Sequence, residues 1–361
     1  MDINTSSRTG SLPASGTQRV GAQVLAFVAM AAALLATIVI ACSLGPVSIS
    51  FSKSLAILGS QLGLPSRVPY SEQEVLIVST MRLPRVAAGA LVGAALGISG
   101  AAMQGLFRNP LVEPGYVGVS SGAAAGAVCA LFFGWKAWGA WTLPLSAFAG
   151  AAAAVLLILA VWRIRGGTSI ASLLLLGIGI NALLSSLINI MVASSSSEQE
   201  LRSIVFWLQG GLEARTWEHV RLVALPVILG SLLMLSCGRD LNAMLLGDEQ
   251  AASSGVNLAK TRYFLLLLAS AMTGSAVAIS GMIGFVGLVV PHAVRLAIGP
   301  DHRSLLPASA LGGAIFLVWA DLASRMILQP VTVQVGVVCA LAGAPLFIVM
   351  ILRSSQEGMG T

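Results

Sequence analysis

About ten apolar runs, each close to the length a helix needs to cross a lipid bilayer, follow one another along this chain. They fall near 21–44, 86–105, 116–134, 142–162, 170–193, 219–237, 262–281, 283–298, 304–323 and 333–352. A helix rising 1.5 Å per residue needs about 20 apolar residues to span the hydrocarbon core. Composition agrees: 57% of the 361 residues are hydrophobic and only 9% are charged. A soluble fold has too little interior to hide that much apolar surface. The predicted fold is therefore an all-α polytopic membrane bundle.

Charge placement fits the same map. The acids lie between runs or at their ends, and Asp321 is the nearest to an intramembrane one. The net charge of +6 comes mostly from arginines scattered singly between runs, which suits topology and anionic lipid rather than nucleic acid. The Lys/Arg balance of the loops is nearly even. It leans toward cytoplasmic termini only when Arg82, Arg85 and Arg325 are set aside. Cys42, Cys129, Cys237 and Cys339 each sit in or beside an apolar run without metal-ligand spacing.

Two absences bear on the energy source. A phosphate-gripping loop needs a glycine-rich turn ending in Gly-Lys, and Lys53, Lys136 and Lys260 each follow another residue type. Proton- and sodium-driven carriers usually hold ionisable groups at mid-membrane, and the centres of these runs hold essentially none. Unwound carbonyls that bind sodium keep an ion-coupled secondary transporter open as the alternative class.

Glycine spacing predicts two features. Gly89, Gly93 and Gly97 stand four apart on one helix face, where small residues let helices pack closely in lipid. Gly281, Gly284 and Gly287 precede Pro291 and predict a broken or re-entrant element, tolerated at depth only beside protein or a water-filled cavity. A short interfacial helix is expected within 192–218. Gln104 and Asn181 are expected to line a pathway or to bond neighbouring helices. His292 is a lone histidine without a partner at ligand spacing.

Several ordered segments then carry a resemblance. Met81-Arg82-Leu83-Pro84-Arg85 leads into Gly100 through Leu111 (GAAMQGLFRNPL), Glu113-Pro114-Gly115 and Gly118-Val119-Ser120-Ser121-Gly122. Leu241-Asn242, Leu246-Gly247-Asp248-Glu249, Ala251 and Gly255-Val256 follow. Gly281–Arg295 (GMIGFVGLVVPHAVR), Asp301-His302-Arg303, Ala320-Asp321 and Gly343-Ala344-Pro345 complete the order. Over nearly all of the chain after residue 80 this resembles the FecCD-type permeases, membrane subunits of binding-protein-dependent ABC importers for iron chelates, haem and cobalamin.

The resemblance implies a type II ABC importer permease fold. It implies a flexible cytoplasmic tail over 1–20, a transmembrane permease domain over 21–353 with a coupling loop near 238–262, and a C-terminal tail over 354–361. Arg82, Arg85 and Arg325 would dock a periplasmic substrate-binding protein through its acidic side chains; pairing with Asp321, four residues before Arg325, is the alternative. Leu241, Asn242, Gly247, Asp248, Glu249, Ala251 and Gly255 would couple to the ATPase. Gln104, Asn109, Asn181, Gly284 and Gly287 would line the translocation pathway.

The implied partners are a second copy of the chain as homodimer, two ATP-binding cassette subunits, the binding protein and the lipid bilayer. The chain itself would bind no cofactor or metal and catalyse nothing; ATP and Mg would sit on the partner ATPase. The expected location is the inner membrane, multi-pass, with both termini cytoplasmic. The expected cargo is a ferric chelate, siderophore or haem, with cobalamin as the alternative. Thr332-Val333-Gln334-Val335-Gly336 departs from the family's usual acid-and-proline pattern before the last span.

Overall fold

The computed structural model describes residues 16–164, 170–195, 197–329 and 331–358. Residues 1–15 of the expected N-terminal tail and 359–361 of the expected C-terminal tail lie outside them.

The described chain is helical throughout. In order come α1 (Gly16–Ser43), α2 (Phe51–Gln61), α3 (Glu72–Leu76), a π-helical turn over Ile77–Arg82, α4 (Leu83–Phe107) and α5 (Val119–Phe132). Then follow α6 (Thr142–Ile164), α7 (Ile170–Ala193), α8 (Glu198–Gln209), α9 (Trp217–Ser236), α10 (Gly238–Leu245) and α11 (Asp248–Ser253). The last are α12 (Leu258–Ser280), α13 (Val286–Ile298), α14 (His302–Met326) and α15 (Val335–Gly358). Seven helical stretches are long and apolar enough to span a membrane, and α5, α13 and α15 supply three shorter apolar helices. These ten elements match the ten apolar runs.

Boundaries differ where periodicity was silent. The second span begins not at 86 but at Glu72, because α3, the π turn and α4 form one continuous helical run to Phe107. Both expected tails are partly helical: α1 starts at Gly16 and α15 runs to Gly358. Extending a nucleated helix costs little, so polar residues beyond an apolar run continue it. The short helix expected within 192–218 is α8, although Trp207 on it is buried rather than interfacial.

α4 and α12 form the centre, with 78% and 72% of their apolar windows buried, whereas α1 and α7 stand at 11%. The glycine face of α4 explains its central place. A Cβ on Gly93 would lie 2.1 Å from the Gly313 carbonyl of α14, and one on Gly97 would lie 2.2 Å from that of Ser309. Where no hydrophobic force acts between helices, such backbone contact supplies the packing attraction. α5 and α6 repeat the device: a Cβ on Gly126 would lie 2.0 Å from the Ser146 carbonyl.

Candidate functional site

Three places concentrate polar chemistry: a break in the bundle, the end carrying α10 and α11, and a recess at the opposite end.

The break follows α12. Gly281 turns the chain with φ +68°, 281–284 are non-helical, and Phe285 opens α13 at φ +67°. Three helix ends meet here through glycines that leave no room for side chains. The Gly211 amide donates to the Ser280 carbonyl (2.8 Å), and the Gly336 amide donates to the Gly210 carbonyl (3.1 Å). A Cβ on Gly281 would lie 2.3 Å from the Trp207 carbonyl. Backbone freed from helices is thus satisfied by other backbone, as lipid surroundings require.

A cavity of about 480 Å³ opens beside this junction, lined in part by Leu96, Glu113, Tyr116, Gln209, Gly284 and Gly287. Glu113 is the surprise, because the run map places it in a loop. From Leu96 to Phe107, α4 descends roughly 16 Å at 1.5 Å per residue. After the turns at 108–111 the chain doubles back, and Pro114 Cδ lies 3.3 Å from where a Cβ on Gly287 would sit, beside the Leu96 carbonyl. Segment 109–118 therefore re-enters the bundle. α7 holds it there: Asn181 Nδ2 donates to the Gly115 carbonyl (3.2 Å), and a Cβ on Gly177 would lie 2.1 Å from the Tyr116 carbonyl.

Of the expected pathway residues, Gly284 and Gly287 line the cavity and Asn181 supports its wall. Gln104 and Asn109 take other places. Pro291 lacks the N–H that would pair with the carbonyl four residues back. Gln104, buried in α4, donates to that Gly287 carbonyl (3.4 Å) and to Leu288 (3.1 Å), and accepts from Arg295 (2.9 Å). It repairs the proline break rather than facing open space. Asn109 closes a turn by accepting from the Leu111 amide (2.9 Å).

At the next site, α10 and α11 are the short helices expected of the 238–262 loop. Asp248, on the first turn of α11, takes Arg108 on one oxygen (2.6 Å) and Arg262 on the other (2.7 Å). Arg262 foremost, then Arg108, hold its carboxyl below the usual range against partial burial. Arg108 caps α4 in the left-handed conformation, φ 49°. Leu241 and Ala251 are fully buried and seat the two helices. Gly247 (φ 116°) and Gly255 (φ 87°) form the turns, and Glu249 is exposed. Asn242 donates to Asp301 (2.6 Å) and accepts from the His302 amide (2.8 Å). His302 is buried under α4: a Cβ on Gly105 would lie 2.3 Å from its Nε2. No local signal marks this part for His302, because the contact joins residues 197 positions apart.

The opposite end holds the arginines. A recess of about 710 Å³ is bordered by Arg82, Arg85, Arg215 and Arg325, with Thr80, Gln329 and Thr332. Arg82 and Arg325 are mostly buried rather than presented on a surface. Arg82 donates to the Cys42 (2.8 Å), Ser43 (2.9 Å) and Val47 carbonyls. Asp321, itself buried, holds Arg85 (2.8 Å) on one oxygen and Arg325 (3.2 Å) on the other. Glu213 lies 3.8 Å from Arg85. Pairing with Asp321 therefore occurs for two of the three expected docking arginines, within a recess whose arginines outnumber its carboxylates. π-helical turns such as the one carrying Arg82 recur at functional sites. Thr332 borders the recess and Gln334 is buried against Gly211, which gives the departing segment its place.

The FecCD transport family model matches residues 33–353. The chain is 43% identical over 299 residues to the cobalamin import system permease protein BtuC of Halobacterium salinarum, covering 81% of this chain and 76% of that one. It is 41% identical over 283 residues to the hemin transport system permease protein HmuU of Yersinia pestis, covering 78% and 84%. The solved structure of a metal-chelate type ABC transporter in an inward-facing conformation superposes with TM-score 0.80 at 32% identity, over 91% of this chain and 99% of that one.

Proposed function

Because the chain belongs to the FecCD transport family and is a permease subunit of an ABC importer, we propose that it carries a ferric chelate, siderophore or haem, across the inner membrane. Family membership sets aside the ion-coupled carrier. The observation that carries the cargo reading is the cavity at the α12–α13 break. Its wall is mostly glycine and apolar side chain, with Glu113, Tyr116, Ser120, Gln209 and Thr273 as its polar groups, which suits a bulky chelate with an organic exterior and a few polar contacts. The metal-chelate transporter of the same fold supports it.

In this reading two copies pair and the pathway runs between them. Support comes from α7, whose exposed face carries Ser185, Ser186 and Asn189, groups poorly suited to lipid tails. The end with α10 and α11 faces the cytoplasm and rests on two ATPase subunits, with both termini on that side. ATP and Mg belong to those partners. Movement of α10 and α11 would reach the pathway through Asp248–Arg108 and through Asn242–His302–Gly105 into α4, then through Gln104 to the break. That gives alternating access a physical route. The arginine recess faces outward and receives acidic side chains of a soluble substrate-binding protein, through Arg82, Arg85 and Arg325.

Cobalamin is the second reading, favoured by the 43% identical cobalamin permease. Proteoliposomes holding the permease and its ATPase, supplied with binding protein, separate the two. Uptake of a radiolabelled ferric siderophore or haem supports the proposal; uptake of cobalamin alone replaces it.

A further inference from the structure

The recess contains an arginine that no motif singled out. Arg215 stands in the turn between α8 and α9, well apart in sequence from Arg82, Arg85 and Arg325, yet borders the same cavity. The other three are held by partners: Arg82 by backbone carbonyls, Arg85 and Arg325 by Asp321, although Arg85 Nη2 also lacks a hydrogen-bond acceptor. Among the described residues Arg215 makes no ion pair within 4 Å and its buried Nε has no acceptor, although the Glu213 carboxylate two residues before acts on it electrostatically. A buried guanidinium N–H left without an acceptor is costly, so a native fold rarely keeps one without use.

The backbone is arranged to put it there. Ala214, immediately before, is held at φ +54°, a left-handed conformation unfavourable for a residue with a Cβ. Such strain persists only where surrounding structure enforces it, and it clusters at binding sites. The enforcement is visible on the following residues. Trp217 Nε1 donates to the Ser79 carbonyl (3.0 Å), tying the start of α9 to the π turn that carries Arg82. The Thr216 hydroxyl and His219 Nδ1 lie 3.0 Å apart and close the first turn.

We propose that Arg215 is a docking residue, offering its unpaired guanidinium to an acidic side chain of the soluble substrate-binding protein. The inference rests on the docking reading of the recess and deepens it. Arg82, Arg85 and Arg325 build a positive wall whose groups are largely occupied, and Arg215 is the guanidinium there held by neither an ion pair nor a backbone carbonyl among the described residues. A carboxylate entering the recess would meet a planar fork able to grip both oxygens.

The test uses the permease with its ATPase partner in nanodiscs and a soluble substrate-binding protein from the same organism. Its affinity is titrated for the native chain, Arg215→Gln and Arg215→Lys at low and high salt. Native chain should bind; Arg215→Gln should bind about tenfold more weakly at low salt, with the gap closing at high salt as screening grows. Arg215→Lys, which keeps the charge and loses the fork, should fall between, and guards against a variant that merely misfolds. Native binding with Arg215→Gln equal to it overturns this inference and leaves the docking reading standing. Failure of the native chain to bind at any salt overturns both.

Discussion

Arg108 and Asp248, 140 residues apart in the chain, meet at 2.6 Å where α4 ends and α11 begins. The contact joins the helix that forms the centre of the bundle to the short helices at one end. Arg262 completes the clasp at 2.7 Å. The Arg108–Asp248 contact is half-exposed and contributes of the order of 1 kcal/mol, whereas Arg262 is buried. Asp248→Asn, which keeps an acceptor for Arg262 but removes its countercharge, should lower the melting temperature modestly while raising the ATP consumed per cargo molecule severalfold in proteoliposomes. An unchanged ratio would remove Asp248 from the coupling route.

The same carboxylate sets a pH expectation. Its folded pKa is depressed, so its contribution is present above the unfolded value near ~3.9 and is lost only as pH falls through the lower folded value. Assembly with the ATPase subunits should therefore show no Asp248-dependent loss between pH 8 and 5. A native-minus-Asp248→Asn difference that fades within that interval would contradict the clasp.

Asp321 holds two arginines at once, the buried Arg325 and the partly buried Arg85. Removing one partner of a buried ion pair strands the rest and costs about 3–5 kcal/mol. Asp321→Ala should sharply reduce folded protein recovered from membranes, whereas Arg325→Lys should be far milder. Equal yields by fluorescence-detected size exclusion would show that the pairing does not bear on stability.

Much of the architecture was legible because membrane helices announce themselves by length and hydropathy. The ten spans, the glycine face of α4 and the break after Gly281 each follow from spacing along one helix. What stayed hidden depends on contacts between distant segments. The re-entry of 109–118, which carries Glu113 to the cavity, is set by Asn181 and Gly177 on α7. The repair of the Pro291 break by Gln104 is equally non-local. Arg215 lay in an unremarkable turn, and only the fold brings it to Arg82. The resemblance implies that Arg82 and Arg325 stand on an outer surface, whereas the structure buries both.

The two glycine predictions separate close packing from mere smallness. A Cβ on Gly93 meets the backbone of Gly313, which has nowhere to go, while one on Gly89 meets the flexible end of Leu212 at 3.1 Å. Gly93→Ala should lower stability by about 1–3 kcal/mol. Gly89→Ala should be near neutral. Thermal unfolding in detergent reads both, and equal shifts would refute the assignment of the α4–α14 contact.

Cargo uptake into sealed proteoliposomes tests most directly whether this permease takes its driving force from another chain. With the ATPase subunits, the binding protein and ATP present, cargo should accumulate; without ATP it should not, whatever proton or sodium gradient is imposed. Accumulation by this chain alone, driven by an ion gradient, would contradict it.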